Sequence, residues 1–231
     1  MKTRLQQGFT LIELLVVITI IAILASLAVP TFGRIQERGN ITKGISNARQ
    51  IITAMRIYSS DNGGNYMDNA KTGDEGTNPE DANAAFRVLF TENILDNELI
   101  FGCPVSKFVP DGNIGGKEDT TRKAAVDSGE NHWMMTKGLS DSASGSIPLV
   151  FENAIDATWN PSWDVDKKGT NAKGRSWSNG VIIGMNDSSV GIQPLNGKNG
   201  QQPLKTLGSG GDENLFTQHE DFEILDVQGG N

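Results

Sequence analysis

One carboxylate, Glu13, stands inside an apolar segment near the start of the chain. Residues 9–29 are otherwise apolar or small. A charged side chain in a hydrocarbon environment is costly, so an acid at such a position indicates a functional role. The alternative is an interfacial acid that lies beside the start of a helix and has no further role. The pattern favours the functional interpretation, in which Glu13 meets a charged partner.

Residue types that support catalysis do not form a recognisable pattern in this chain. His132 and His219 lie far apart in polar stretches, and no serine follows the pattern of a nucleophile elbow. The glycine-rich stretch 208–211 lacks the lysine of a phosphate-binding loop. Cys103 is the only cysteine, so no intrachain disulfide can form, and it is predicted to be a buried small apolar residue. The chain is therefore predicted not to be an enzyme.

Acidic residues near the C-terminus are the candidates for metal binding. Carboxylates are the hard oxygen ligands that calcium prefers, and glycines precede the group. A solvated acidic surface is the favoured alternative, and no other cofactor is predicted. The calcium candidates are Asp212, Glu213, Glu220 and Asp221.

The overall charge excludes one class of partner. The chain has 20 basic and 28 acidic residues, a net charge of −8. A protein that binds the phosphate backbone needs clustered lysines and arginines, so no nucleic acid partner is expected. Four tryptophans between residues 133 and 177 leave a carbohydrate-binding surface open as an alternative, although core packing is favoured for them.

The apolar segment sets the membrane topology that the sequence predicts. A helix over residues 9–30 spans roughly 30 Å, the thickness of a bilayer core. Lys2 and Arg4 precede it, which places the N-terminus in the cytoplasm and the rest of the chain outside. A secretory signal peptide fits less well because the run is too long and lacks a convincing cleavage site before Pro30. A plain single-pass anchor explains everything except Glu13.

The helix is predicted to continue beyond the membrane. Pro30 should kink it, since proline removes a backbone donor and clashes with the preceding turn. Apolar residues then recur in steps of three and four up to a dense turn sequence at residues 59–64, which indicates an amphipathic continuation over residues 31–60. The members of this apolar face are Ile41, Ile45, Ala48, Ile52 and Met55.

Residues 61–231 are predicted to form one globular head with long loops. Strands are predicted at residues 146–152, 180–185, 189–195 and 222–227, and a short helix at residues 84–90. Asn186–Ser188 is a plausible hairpin turn between the second and third of these strands. The predicted fold class is α+β: one long N-terminal helix packed on a small antiparallel sheet.

The residues Gly8-Phe9-Thr10-Leu11-Ile12-Glu13 resemble the class III signal of type IV pilins and type II secretion pseudopilins. The resemblance implies a leader at residues 1–8, cleavage after Gly8 by a prepilin peptidase, and methylation of the new amino terminus at Phe9. It also implies that Glu13 pairs with the Phe9 ammonium of a neighbouring subunit. Such a pair removes two uncompensated charges from lipid at once.

The resemblance implies a pseudopilin of a type II secretion system, anchored in the bacterial inner membrane with a periplasmic head. The implied partners are the peptidase, an inner-membrane assembly platform and other pilin-like subunits in a homo-oligomeric filament. A type IV pilin for adhesion, motility or DNA uptake is the first alternative. Many adhesive pilins close a C-terminal loop with a disulfide, which a single cysteine cannot do. A membrane-anchored carbohydrate-binding head is the alternative of another class.

Overall fold

A computed structural model describes residues 9–70, 78–116, 118–166, 173–178, 180–208 and 211–229, without the side chains of residues 27–31. The chain divides into two units, Met1–Gly39 and Asn40–Asn231. Helix α1, Leu11–Asp61, contributes residues to both units. The predicted long N-terminal helix is therefore confirmed.

The first unit exposes the apolar side chains of α1. Large apolar residues from Phe9 to Leu24 are between about half and nine-tenths exposed, which leaves a surface that must meet lipid or protein. Within the part of the chain that the structure describes, no helix combines the length and the apolarity of a membrane span. The predicted span at residues 9–30 is thus not confirmed, and residues 27–30 of it have side chains outside the described part.

The second half of α1 packs into the core of the head. Ala48, Ile52 and Met55, three members of the predicted apolar face, are fully buried, and Ile41 and Ile45 pack half-buried beside them. A side chain at Gly44 would come within 2.5 Å of the Ile182 side chain. Gly44 therefore permits close packing of the helix on the sheet. The helix ends at Asp61, inside the predicted turn region.

The head contains a five-stranded antiparallel sheet formed by β1 (Trp133–Thr136), β2 (Pro148–Glu152), β4 (Val181–Met185), β5 (Val190–Gln193) and β7 (Ile224–Leu225). The strand order is β5-β4-β2-β1-β7. The predicted turn joins β4 and β5, and within it the amide of Ser188 donates to the carbonyl of Met185 at 2.9 Å. The predicted α+β class is confirmed.

Two further features complete the head. Helix α2, Ala82–Thr91, begins at Asp81, whose carboxylate accepts the amide of Ala84 at 2.7 Å as an N-cap. Strands β3 (Ser162–Asp164) and β6 (Gln201–Pro203) form a separate antiparallel pair. The sequence patterns indicated α2 but not β1, β3 or β6.

The sheet separates two apolar clusters. One cluster joins α1, α2 and the sheet, with Phe86, Phe101 and Trp133 fully buried. The other cluster contains Phe151, Trp163 and Phe216, and the rings of Phe151 and Phe216 meet edge to face at 5.2 Å. Buried aromatic rings of this size contribute much of the stability of a small domain.

Candidate functional site

Glu13 lies in the first turn of α1, where it forms a capping box with Thr10. Oxygen Oε2 of Glu13 accepts the backbone amide of Thr10 at 2.9 Å and its hydroxyl at 2.7 Å. The amide of Glu13 in turn donates to the Thr10 hydroxyl at 3.3 Å. This reciprocal arrangement satisfies donors that a helix start leaves without partners. The sequence contains the signature of this motif, Thr-x-x-Glu, so the role of Thr10 could have been predicted from local spacing alone.

The other predicted residues of the N-terminal segment are placed as follows. Phe9 is 76% exposed, so its backbone and ring are accessible beside the helix start. Gly8 lies outside the described residues. Residue 30 is within α1, but its side chain is not described, and the kink predicted at Pro30 stays a prediction.

The calcium candidates do not assemble into a metal site among the described residues. All four carboxylates at Asp212, Glu213, Glu220 and Asp221 are exposed. The groups of three ligating side chains that the described residues do form lie elsewhere in the head. The calcium prediction stays a prediction.

A buried polar cluster centred on Glu152 is the feature that the sequence analysis missed. The ligating atoms of Cys103, His132 and Glu152 all lie within 4.8 Å of one another, and all three residues are buried. Oxygen Oε1 of Glu152 accepts the indole N–H of Trp177 at 2.9 Å and lies 3.2 Å from Nε2 of His132. The other oxygen, Oε2, accepts the backbone amide of Ile182 at 2.8 Å. The thiol of Cys103 completes the shell at 3.4 Å.

The surroundings of His132 decide what this cluster can do. Its Nδ1 faces the amide nitrogen of Asn153 at 2.7 Å, and that nitrogen can only donate. Nδ1 therefore accepts, and Nε2 carries the proton that it donates to Glu152. The Asn153 amide is fixed in this orientation because its oxygen accepts the amide of Gly174 at 2.9 Å.

A metal ion fits this arrangement poorly. Coordination through Nε2 would move the ring proton to Nδ1, where a metal-bound histidine needs an acceptor and Asn153 presents a donor. Burial, followed by the charge of Glu152, raises the pKa of the Cys103 thiol far above its usual value, which keeps the thiol protonated and unreactive. The cluster is a hydrogen-bonded network that joins separate segments of the head. The predicted burial of Cys103 is confirmed.

A second group of ligating side chains consists of Glu98, Asp111 and Glu130. Glu98 is buried, and its two oxygens accept the backbone amides of Gly112 and Val126 at 2.7 and 2.8 Å. Burial raises the pKa of Glu98 above its ordinary value, and these two hydrogen bonds offset only part of that rise. The carboxylate thus holds two loop segments together, and nothing here indicates a bound ligand.

The tryptophan side chains do not form a sugar-binding platform. Trp133, Trp163 and Trp177 are buried, and Trp159 is half-buried against Phe216. Each of the four indole nitrogens donates a hydrogen bond within the head. These observations support the interpretation that the tryptophans pack the core. An exposed row of tryptophan rings, the feature that would support a carbohydrate-binding head, is not formed by these four residues.

Asp68 offers a test of buried charge in the head. Its Oδ2 accepts the amide of Gly138 at 2.7 Å, whereas its buried Oδ1 has no hydrogen-bond partner among the residues that the structure describes. Burial raises the pKa of this carboxyl above its ordinary value. A raised folded-state pKa means that stability is lost as the pH rises through that pKa. Asp68→Asn removes the charge. As the pH rises above 3.8, the ordinary pKa of this carboxyl, the free energy of unfolding of Asp68→Asn should therefore fall less than that of the wild type.

The measurement is chemical unfolding of both full-length proteins in detergent micelles across this pH range. Asp212→Asn is the control, since Asp212 is an exposed carboxylate and is not among the charges that shift the pKa of Asp68. Parallel pH profiles for wild type and Asp68→Asn would contradict the assignment of a destabilising buried charge to Asp68.

Comparisons with known proteins agree with the N-terminal geometry. Residues 3–29 match the family model described as the prokaryotic N-terminal methylation motif. The type II secretion system core protein G of Aeromonas hydrophila is 42% identical over 62 residues, 27% of this chain and 43% of that protein. The type IV major pilin protein PilA of Myxococcus xanthus is 40% identical over 55 residues, 24% of this chain and 25% of that protein.

One relative extends into the head. The type IV major fimbrial protein FimA of Dichelobacter nodosus is 28% identical over 179 residues, which cover 71% of this chain and 93% of that protein. No solved structure matches the chain. The chain spans less than half the length of the secretion relative and a quarter of the Myxococcus pilin.

The resemblance predicted from the sequence is thus confirmed. The chain resembles the type IV pilins and type II secretion pseudopilins through the N-terminal methylation motif that contains Phe9 and Glu13.

Proposed function

We propose that this chain is a non-enzymatic subunit of a pilin-like filament, most consistent with a pseudopilin of a type II secretion system. The observation that carries the proposal is the methylation motif over residues 3–29, with an acid in the first turn of an exposed apolar helix. Exposed apolar surface of this extent requires lipid before assembly and neighbouring subunits afterwards.

The proposed maturation begins at the bond between Gly8 and Phe9. A prepilin peptidase would cut this bond and methylate the new amino group of Phe9. The ammonium so formed lies four residues before Glu13 in the sequence of the same subunit and can meet Glu13 of a neighbour in the filament. Two charges paired in an apolar bundle cost much less than either charge alone.

The proposed location is the inner membrane, with the N-terminus cytoplasmic and the head outside. The basic residues Lys2 and Arg4 support this orientation. The head is compatible with an oxidising compartment, because its one thiol is buried and the sequence contains no second cysteine with which it could form a disulfide. An inner-membrane assembly platform and other pilin-like subunits are the proposed partners.

A type IV pilin for adhesion, motility or DNA uptake is the second candidate. One observation favours it: the match to the Dichelobacter fimbrial protein continues through most of the head, whereas the match to the secretion relative covers 62 residues. The single cysteine favours the pseudopilin, as it excludes a disulfide-closed C-terminal loop. Deletion of the gene distinguishes the two: loss of exported proteins from the medium supports secretion, and loss of surface motility or DNA uptake supports a pilus.

Gly8→Val tests the processing step. A peptidase that reads the residue before the cut bond should accept almost nothing larger than glycine there, so the variant should remain an uncut precursor in the membrane fraction. Intact mass measurement distinguishes the precursor from the mature chain. Gly33→Val is the matched control, because a side chain at Gly33 meets no atom within 4 Å. Normal cleavage of Gly8→Val would refute the processing assignment.

A further inference from the structure

Four Asn-Gly pairs in this chain are not used by the proposed function. In such a pair the backbone nitrogen of glycine can attack Cγ of the asparagine side chain, because glycine has no Cβ to obstruct the close approach. The attack expels ammonia and closes a succinimide ring, which water then opens to aspartate or isoaspartate. The pairs are Asn62-Gly63, Asn179-Gly180, Asn196-Gly197 and Asn199-Gly200, and Asn179 lies outside the described residues.

Hydrogen bonds decide how easily each pair can react. The asparagine side chain must turn toward the backbone, and the glycine amide must give up its proton. A hydrogen bond to either group has to be broken first, and a bond to a charged partner is about twice as strong as a bond between neutral groups. The three described asparagines are all exposed, so access of water does not distinguish them. Their hydrogen bonds therefore predict the order of reactivity.

Two of the three described pairs are restrained. The side-chain amide of Asn62 donates to the carbonyl of Tyr58 at 2.9 Å. At Asn199 the restraint lies on the following residue, because the amide of Gly200 donates to Oδ2 of Asp166 at 2.6 Å. This carboxylate holds the amide in place and repels the negative charge that develops on its nitrogen as the proton leaves.

The pair Asn196-Gly197 has neither restraint. The side chain of Asn196 and the amide of Gly197 form no hydrogen bond with any residue that the structure describes. The backbone amide of Asn196 donates to the carbonyl of Pro203 at 2.9 Å, a bond that leaves both reacting groups free. The pair lies in the connection between β5 and β6, which contains neither helix nor strand.

We propose that Asn196 is a site of spontaneous succinimide formation in the head, and that Asp166 protects Asn199 from the same reaction. The nitrogen of Gly197 forms a bond to Cγ of Asn196, the bond from Cγ to the side-chain nitrogen breaks, and the proton of Gly197 leaves with the ammonia. Water then adds to either carbonyl of the ring and opens it. The product carries a new carboxylate, and isoaspartate also routes the backbone through the former side chain.

The test follows deamidation of the full-length wild-type protein in detergent micelles at mildly alkaline pH, by mass spectrometry of tryptic peptides. Lys198 lies between Asn196 and Asn199, so trypsin places the two on separate peptides. Asn196 should react about fivefold faster than Asn62 and about tenfold faster than Asn199, since each of these must first lose a hydrogen bond. In guanidinium chloride the three rates should become similar, because the restraints belong to the fold.

Asp166→Ala tests the protective role separately. Deamidation at Asn199 should become about tenfold faster when the charged acceptor is removed, while the rate at Asn196 stays the same. Asp212→Ala is the matched control, since Asp212 is an exposed carboxylate outside the β3 and β6 pair, and it should change neither rate.

Three results would overturn the inference. Equal rates at the three pairs in the folded protein, or the same differences in guanidinium chloride, would remove the structural basis for choosing Asn196. An unchanged rate at Asn199 in Asp166→Ala would refute the protection, and so would equal acceleration at Asn196, because the whole connection would then have loosened. None of these results depends on filament formation, so the proposed function is tested apart from this inference.

Discussion

Glu13→Val is expected to insert into the membrane and to be cut normally, yet to produce no filaments when it is the only copy. Insertion should be unimpaired because the substitution removes a costly charge from the apolar segment. Cleavage should be unimpaired because Gly8 and Phe9 are unchanged. Assembly should fail because the ammonium of a neighbouring Phe9 would lie unpaired in an apolar bundle.

Two further substitutions identify the cause of that failure. Glu13→Asp should give intermediate yields, since its carboxylate is one methylene too short to reach the same position. Glu13→Gln retains the capping box with Thr10 and isolates the contribution of charge. Sheared-filament recovery and membrane fractionation are measured together for each variant. Wild-type filament yield from Glu13→Val would mean that the acid only lies at the interface, and the pairing mechanism should then be abandoned.

Glu152→Leu is expected to destabilise the head by about 3–5 kcal/mol, a large fraction of the stability of a typical domain. The substitution leaves the indole N–H of Trp177 and the amide of Ile182 without an acceptor in a buried site. His132 loses its partner as well, and it cannot turn to a new one because Asn153 holds its other nitrogen. Each buried donor left without a partner costs about 1–3 kcal/mol.

Glu152→Gln is the near-isosteric comparison, and Glu223→Gln is the control. Glutamine places an amide group where two acceptor oxygens are needed, so Glu152→Gln should also be clearly destabilised. Glu223 pairs with Lys137 at the surface, with its side chain 67% exposed, and its replacement should cost less than about 1 kcal/mol. Urea unfolding of the full-length proteins in detergent gives the comparison. Equal midpoints for Glu152→Gln and Glu223→Gln would contradict the role assigned to the network.

The strands that could be predicted from the sequence are those with an apolar pattern and a recognisable turn. Strands β4 and β5 flank the turn at Asn186–Ser188, and the short polar residues of that turn mark the hairpin. Strand β1 lacks both features. It lies between β2 and β7 and is buried on both faces, so its four residues do not alternate between apolar and polar. Strands β3 and β6 are three residues long and largely polar.

Some residues of the candidate sites could be recognised from the sequence, and others could not. Gly8, Phe9 and Glu13 are close in sequence, and their chemistry depends on local spacing, so the motif could be read directly. The network around Glu152 brings together four segments that are far apart in the chain; they contain Cys103, His132, Glu152 itself, and Trp177 with Ile182. Only the tertiary fold creates such contacts. Thr10 lies between these two cases. Its Thr-x-x-Glu pattern is local and visible in the sequence, but its hydrogen bonds to Glu13 are seen only in the structure.

The identity of the first residue of subunits in sheared filaments tests the central claim most directly. Filaments are sheared from cells that express this chain, and the N-terminal peptide of the subunit is analysed by mass spectrometry. The account predicts filaments whose subunits begin with N-methylated Phe9. Filament subunits that begin at Met1, or the absence of this chain from filaments in cells that cut it after Gly8, would contradict the account.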